Sequence, residues 1–197
     1  MLKKIVISFF CSMLLFTLAK AASPSEVQAY RHAADQGDAA AQFNLGRLYE
    51  KGEGVRQDYA EAVKWYQLAA EKGSVSALYN LGMLHADGKG VRQDYVEAGR
   101  YFRLEADKGD AAAQSNLGKL YEKGKGVRQD YTEAIKWYRL AADQGYAAAQ
   151  FMLGALYANG KGVRQDKSTA KEWFGKSCDN GIQEGCDKYR ELKEKGF

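Results

Sequence analysis

The chain has 197 residues, 46% of them hydrophobic, with 29 lysines and arginines against 25 aspartates and glutamates. That length suits one domain with a sizeable core. Without Lys3, Lys4 and Lys20, all within the first 21 residues, the balance falls to 26 against 25, which leaves no basic footprint for nucleic acid.

Lys3 and Lys4 precede an apolar run from Ile5 to Leu18, and Ala19-Lys20-Ala21 offers small residues around a cleavage point. This is the pattern of a secretory signal peptide over residues 1–21. The run is shorter than the roughly 20 residues of a membrane span. The expectation is therefore an exported protein, periplasmic or secreted, with no transmembrane segment after cleavage. Cys11 sits mid-run after Phe9 and Phe10, which is not a lipidation context. Pro24 is the one proline, and a short extended N-terminus is expected around it.

From residue 38 the text repeats. Gly46, Gly82, Gly118 and Gly154 lie 36 apart, as do Val55, Val91, Val127 and Val163. A fixed period of this length marks a solenoid. The repeats run over about 38–73, 74–109, 110–145 and 146–181, within one unit of residues 22–197. Tyr30 to Gly37 reads as the end of a partial unit, and Ile182 to Tyr189 as the start of another.

Each unit holds two helical patterns. In the first, Ala41, Leu45, Leu48 and Tyr49 form one apolar stripe at helical spacing. Gly46 interrupts it in every copy at a cost of roughly 1 kcal/mol against Ala, so close approach of the partner helix is expected there. Gly52-Glu53-Gly54 ends the helix. Asp58 starts the second helix as an N-cap, and Glu61 is expected to complete a capping box, as are Glu97 with Asp94 and Glu133 with Asp130. Thr169 replaces the glutamate after Asp166, so a weaker cap is expected in the fourth copy. Ala62, Tyr66, Ala69 and Ala70 make the second stripe, with Trp65 beside it, and Gly73 closes the helix. Neither stripe can be buried by one helix, so neighbours must stack as antiparallel pairs.

The strings A-x-x-x-L-G-x-x-Y, G-x-G-V-x-x-D-Y and E-A-x-x-W-Y-x-x-A-A-x-x-G resemble the Sel-1-like repeat, a relative of the tetratricopeptide repeat, and the resemblance covers residues 29–189. It implies an all-α fold: a right-handed superhelical solenoid of antiparallel helix pairs with a concave inner face. It also implies an adaptor or scaffold for protein complexes. One secreted, cysteine-rich branch of the family is credited with penicillin binding and β-lactamase activity. The second unit departs most from the pattern. His85 replaces a tyrosine, while Gly99 and Glu105 stand where the other copies hold Val63, Ile135 or Lys171 and Ala69, Ala141 or Ser177.

Cys178 and Cys186 are the cysteines left after cleavage, in the slots of Ala70 and Gln42. An even pair in an exported chain reads as a disulfide, and the spacing resembles the disulfide-bonded branch. Free buried thiols are the alternative. His32 and His85 are the two histidines; with the cysteines they match no known metal-ligand spacing, and no cofactor is expected. No serine lies in G-x-S-x-G or S-x-x-K. The glycine loops lack the flanks of a phosphate-binding loop. Arg56, Arg92, Arg128 and Arg164 read as a solvated edge.

Beside the core stripe of the first helices lies a second face. It comprises Phe43, Asn44 and Arg47, then Tyr79, Asn80 and Met83, then Ser115, Asn116 and Lys119, then Phe151 and Met152. By resemblance to tetratricopeptide grooves this face lines the concave surface. Three asparagines recur at one position, and an amide that both donates and accepts suits an extended peptide backbone. The alternative is that these asparagines satisfy neighbouring helix ends or loops. The leading expectation is thus a groove for a protein or peptide partner in the cell envelope, with no catalytic residues. A β-lactamase or cell-wall hydrolase, and an immunity or secreted effector protein, are the other readings.

Overall fold

The structure, a computed structural model, describes residues 22–197; the expected signal peptide lies outside the described residues. Ten α-helices occur among them, and no strand: α1 (Pro24–Asp35), α2 (Ala39–Lys51), α3 (Tyr59–Glu71), α4 (Val75–Asp87), α5 (Tyr95–Ala106), α6 (Ala111–Lys123), α7 (Tyr131–Asp143), α8 (Ala147–Asn159), α9 (Lys167–Asp179) and α10 (Gln183–Glu194). Each packs chiefly on its neighbours in the chain. The result is an all-α solenoid of antiparallel helix pairs. None of these helices is long and apolar enough to cross a membrane.

The expected extended N-terminus is instead helix. Ser23 accepts from the Glu26 amide at 3.2 Å, and the Glu26 carboxylate accepts from the Ser23 amide at 2.7 Å. Pro24 occupies the first helical position, where its fixed φ suits a helix and its missing N–H is not needed.

The two stripes fill the core as expected. Leu45, Leu81, Leu117 and Leu153 are buried, and so are Ala62, Tyr66 and Ala69. The recurrent glycine makes room for an aromatic ring of the following helix. A Cβ on Gly82 would stand 2.6 Å from Phe102 Cε1, and Gly46, Gly118 and Gly154 face Tyr66, Tyr138 and Phe174 in the same way. A second glycine works between units. Gly90 has φ +71°, and a Cβ there would lie 2.3 Å from the backbone of Tyr59, in the unit before.

Asp58, Asp94 and Asp130 cap their helices, each Oδ1 accepting two backbone amides. The expected capping boxes do not close. The Asp58 amide already donates to the Tyr49 carbonyl at 2.9 Å, and Asp94 and Asp130 repeat this with His85 and Tyr121. The glutamates turn instead to Lys64, Arg100 and Lys136 one turn on. The fourth cap loses nothing to Thr169. That residue gives Asp166 its amide at 3.0 Å and its hydroxyl at 2.7 Å, and these bonds hold the Asp166 carboxyl below its ordinary range.

Units are joined at their inner ends by a side-chain bond. Gln42, Gln114 and Gln150 donate to the carbonyls of Ala34, Ala106 and Ala142 at 3.0–3.1 Å. In the last unit the same two slots hold Cys186 and Cys178, which form a disulfide across α9 and α10. A covalent bridge thus replaces a hydrogen bond.

Candidate functional site

The face of the first helices is built on the aromatic rings that the glycines admit. Phe43 rests on Tyr66, Tyr79 on Phe102 and Phe151 on Phe174, with ring centres 5.4–6.0 Å apart. This leaves Phe43, Tyr79 and Phe151 half-buried, as are the three asparagines, while Arg47 and Lys119 project into solvent.

Three hollows lie on this face, two between α4 and α6 and one between α6 and α8. The first, of about 170 Å³, lies between α4 and the start of α6 and contains Tyr79, Asn80, Ser76 and Glu105. The second, of about 270 Å³, is bounded by Met83, Phe102, Asn116 and Lys119. The third, of about 390 Å³, gathers Ser115, Asn116, Lys119, Phe151 and Met152 with Tyr146. The second and third share Asn116 and Lys119. The face expected from sequence is therefore brought together over α4, α6 and α8. Phe43, Asn44 and Arg47 line none of these three hollows.

The asparagines are not free ladder rungs. Asn116 donates across the units to the Tyr79 hydroxyl at 3.3 Å, with Met83 Sδ at 3.7 Å. Its donor is engaged and its carbonyl oxygen is what it can offer a ligand. Asn80 interacts with the Tyr66 hydroxyl, which burial raises above the ordinary tyrosine range and which donates to Glu50. Tyr146 reaches this face from ahead of α8, and burial, the Tyr79 hydroxyl and the Asp110 charge together raise its own hydroxyl.

Glu105 is the residue that sequence reasoning passed over as a site. It is fully buried, and burial raises its carboxyl above the ordinary glutamate range while Lys108 pulls it down. The signal was present, since a carboxylate stands in a slot that alanine or serine fills elsewhere. Around the opposite edge, Arg56, Arg92, Arg128 and Arg164 are exposed. The glutamines beside them fix the loops: Gln57 donates to the Glu50 carbonyl at 2.8 Å and Gln129 to that of Glu122 at 2.8 Å.

The family model described as Sel1 repeat matches four successive segments, residues 39–74, 75–110, 111–146 and 147–182. Among solved structures, the chain is similar to c5321, a protective antigen present in uropathogenic Escherichia coli strains displaying an SLR fold. The two share 37% identity and a TM-score of 0.83, over 87% of this chain and 37% of that one. It is also similar to a Sel1 repeat protein from Oxalobacter formigenes, at 39% identity and a TM-score of 0.76, over 80% of this chain and 63% of that one. The chain thus spans less than two thirds of either. Helicobacter pylori cysteine rich protein B, at 23% identity and a TM-score of 0.53, over 66% of this chain and 94% of that one, shares the fold. No curated protein sequence matches.

Proposed function

Since the chain belongs to the Sel1 repeat family, whose members are generally scaffolds for protein–protein interaction, we propose that it grips an extended segment of a protein partner along α4, α6 and α8, at or beyond the cell envelope. The observation that carries this reading is the row of three hollows. Two lie between α4 and α6 and one between α6 and α8; aromatic rings line each, and Asn80, Asn116 and Lys119 stand among their walls. Packed helix layers advance about 10 Å and an extended chain about 3.3 Å per residue, so about every third residue of the partner would meet the next unit. Apolar side chains suit Phe151 and Met152, and acidic ones suit Lys119. The Cys178–Cys186 bond supports an oxidising compartment, and the likeness to a protective antigen supports exposure outside the cytoplasm.

Photo-crosslinking tests the reading. A benzophenone amino acid at Lys119 should capture one partner from envelope extract, and the same group at Val96, 65% exposed on α5, should not. Asn80→Ala with Asn116→Ala should weaken that capture several-fold with the helical spectrum unchanged. Equal capture from both positions, or none from Lys119, overturns the groove.

A further inference from the structure

The gap between successive first helices differs from unit to unit. Between α4 and α6 a hollow of about 270 Å³ is walled by Met83 and Ala86, with Phe102 and Leu120 beneath. Two repeats on, between α8 and α10, a hollow of about 380 Å³ is walled by Ala155 and Ala158, with Phe174 and Leu192 beneath. These are the same slots of the repeat. In the first and third units the slots of Ala86 and Phe102 hold Glu50 with Tyr66 and Glu122 with Tyr138, and phenol and carboxylate bond across the space. The hollow between α6 and α8 opens instead toward the helix starts, at Tyr146 and Ala148. Open and filled places therefore alternate along the stack. A ligand in either open place would touch Met83 and Ala86, or Ala155 and Ala158, which are half-buried, and only the edge of the ring beneath.

Both places have a basic rim. Lys119, Lys123 and Lys125 border the first with Asp87, and Lys167, Lys188 and Lys195 border the second with Glu191. Each rim thus sets three lysines against one carboxylate. At the first, Asp87 is already met by Lys89 at 3.1 Å, and Lys123 lies 3.0 Å from Glu122. Lys125 rests on the Tyr95 hydroxyl at 2.9 Å, and Lys119 meets no carboxylate among the described residues. At the second, Lys188 and Lys195 share Glu191.

We propose that the two open hollows seat two apolar side chains of one extended partner segment, six residues apart and each beside an acidic residue; this rests on the groove reading above. The spacing follows from the alternation. Two units of packed helices span about 20 Å, or about six residues of extended chain at roughly 3.3 Å each. Successive side chains of an extended chain point to opposite sides. A residue three along, at the next unit, therefore faces away from the stack, and one six along faces it again. The filled slots at Tyr66 and Tyr138 fall where the segment turns its side chain outward. The ring edges of Phe102 and Phe174 suit an aromatic anchor. The surplus lysines favour acids next to it and steer the segment in.

The test uses a fluorescein-labelled peptide of serine and threonine with two phenylalanines six positions apart, each preceded by aspartate. It is titrated with the purified protein and followed by fluorescence anisotropy. It should bind at least tenfold more tightly than peptides with the phenylalanines three apart or with one replaced by serine. Lysine in place of the aspartates should abolish the gain. Ala86→Glu with Phe102→Tyr installs the filling pair of the first and third units, as does Ala158→Glu with Phe174→Tyr. Each should lower affinity to that of the one-phenylalanine peptide, with the helical spectrum unchanged. Ala86→Met and Ala158→Met, which fill the same walls without a charge, should act alike. Equal affinity for the three- and six-residue spacings would overturn the paired anchors, in favour of separate sites for small anionic amphiphiles. Undiminished affinity in the filled variants, or no binding of the peptide, would overturn them too. Capture of a partner from Lys119 that survives both filling pairs would remove the anchors and leave the groove standing.

Discussion

The Tyr138 hydroxyl donates to Glu122 Oε2 at 2.8 Å, joining the ring that fills the Gly118 gap to the end of the helix that carries the glycine. Tyr66 bonds Glu50 in the first unit. The second and fourth units hold Phe102 with Ala86 and Phe174 with Ala158 at the same slots. Phenol and carboxylate are present together or absent together, because Glu122 is only 7% exposed and a buried acid needs its donor.

Tyr138→Phe should therefore cost about 1–2 kcal/mol, the penalty of stripping a buried charged acceptor of a donor, although Lys123 stays 3.0 Å from Oε1. Adding Glu122→Ala, which reproduces the second unit's pairing, should recover most of the loss. Urea denaturation of the four proteins of this cycle gives the coupling directly. Costs that simply add would show that the two groups are independent.

Two glycines inside helices should respond with opposite signs to alanine. Gly82→Ala drives a Cβ into Phe102 at 2.6 Å, and overpacking of about 1–3 kcal/mol exceeds the gain in helix propensity of roughly 1 kcal/mol. Gly99→Ala meets only the Leu120 Cδ1 methyl at 3.3 Å, which can turn aside, so this variant should be more stable by up to about 1 kcal/mol. Thermal melts of both decide it; a stabilised Gly82→Ala would contradict the ring-in-gap packing.

Glu105 gives a pH dependence of definite sign. Burial raises its carboxyl in the folded chain, so between the ordinary glutamate pKa and the raised value the folded state holds more protons than the unfolded one. Stability from this site is full at low pH and is lost as pH rises through the raised pKa. Glu105→Ala lacks that loss. Its advantage in Tm over the parent should widen from pH 4 to pH 8, and an advantage that is constant across this range would refute the buried acid.

Reduction of Cys178–Cys186 opens a loop with a sequence separation of 8, which the chain-entropy view makes worth about 2–3 kcal/mol. Units of a solenoid support only their neighbours, so the effect should stay local. Hydrogen exchange after dithiothreitol should quicken across α9 and α10 and remain as before in α4 to α7. Uniform acceleration along the chain would show a single cooperative unit.

Much of the frame was legible because it rests on relations within one helix or one turn. The stripe through Leu45 and Leu48, the gap at Gly46 and the cap at Asp58 are all spacings of a few residues. Relations across a loop were not. Arg31, Arg103 and Arg139 donate to the hydroxyls of Tyr49, Tyr121 and Tyr157 of the unit that follows, and where His85 stands for the tyrosine, the unit before it has Gln67 in the arginine slot. Both ring nitrogens of His85 are left without partners. The two changes stand 18 residues apart, and periodicity does not say which slots touch. The capping boxes failed for a similar reason, since the Tyr49 carbonyl that takes the Asp58 amide arrives from the preceding helix. At the groove, the bond from Asn116 to Tyr79 spans 37 residues, and its existence depends on how steeply the solenoid curves.

The seating of Gly90 on Tyr59 recurs with Gly126 on Tyr95 and Gly162 on Tyr131. The backbone seat is thus the same at each of these joints, while the ring-in-gap and phenol–carboxylate pairs are internal to a unit. Excision of residues 75–110, one matched repeat, would bring Gly126 onto Tyr59 and keep that backbone seat. Two side-chain bonds would register the cut, as Asn116 would meet Phe43 in place of Tyr79 and lose its acceptor, and Tyr121 would meet Gln67 in place of Arg103. A gene encoding such a chain can be edited in whole periods, and on the groove proposal each edit would change the length of partner segment held.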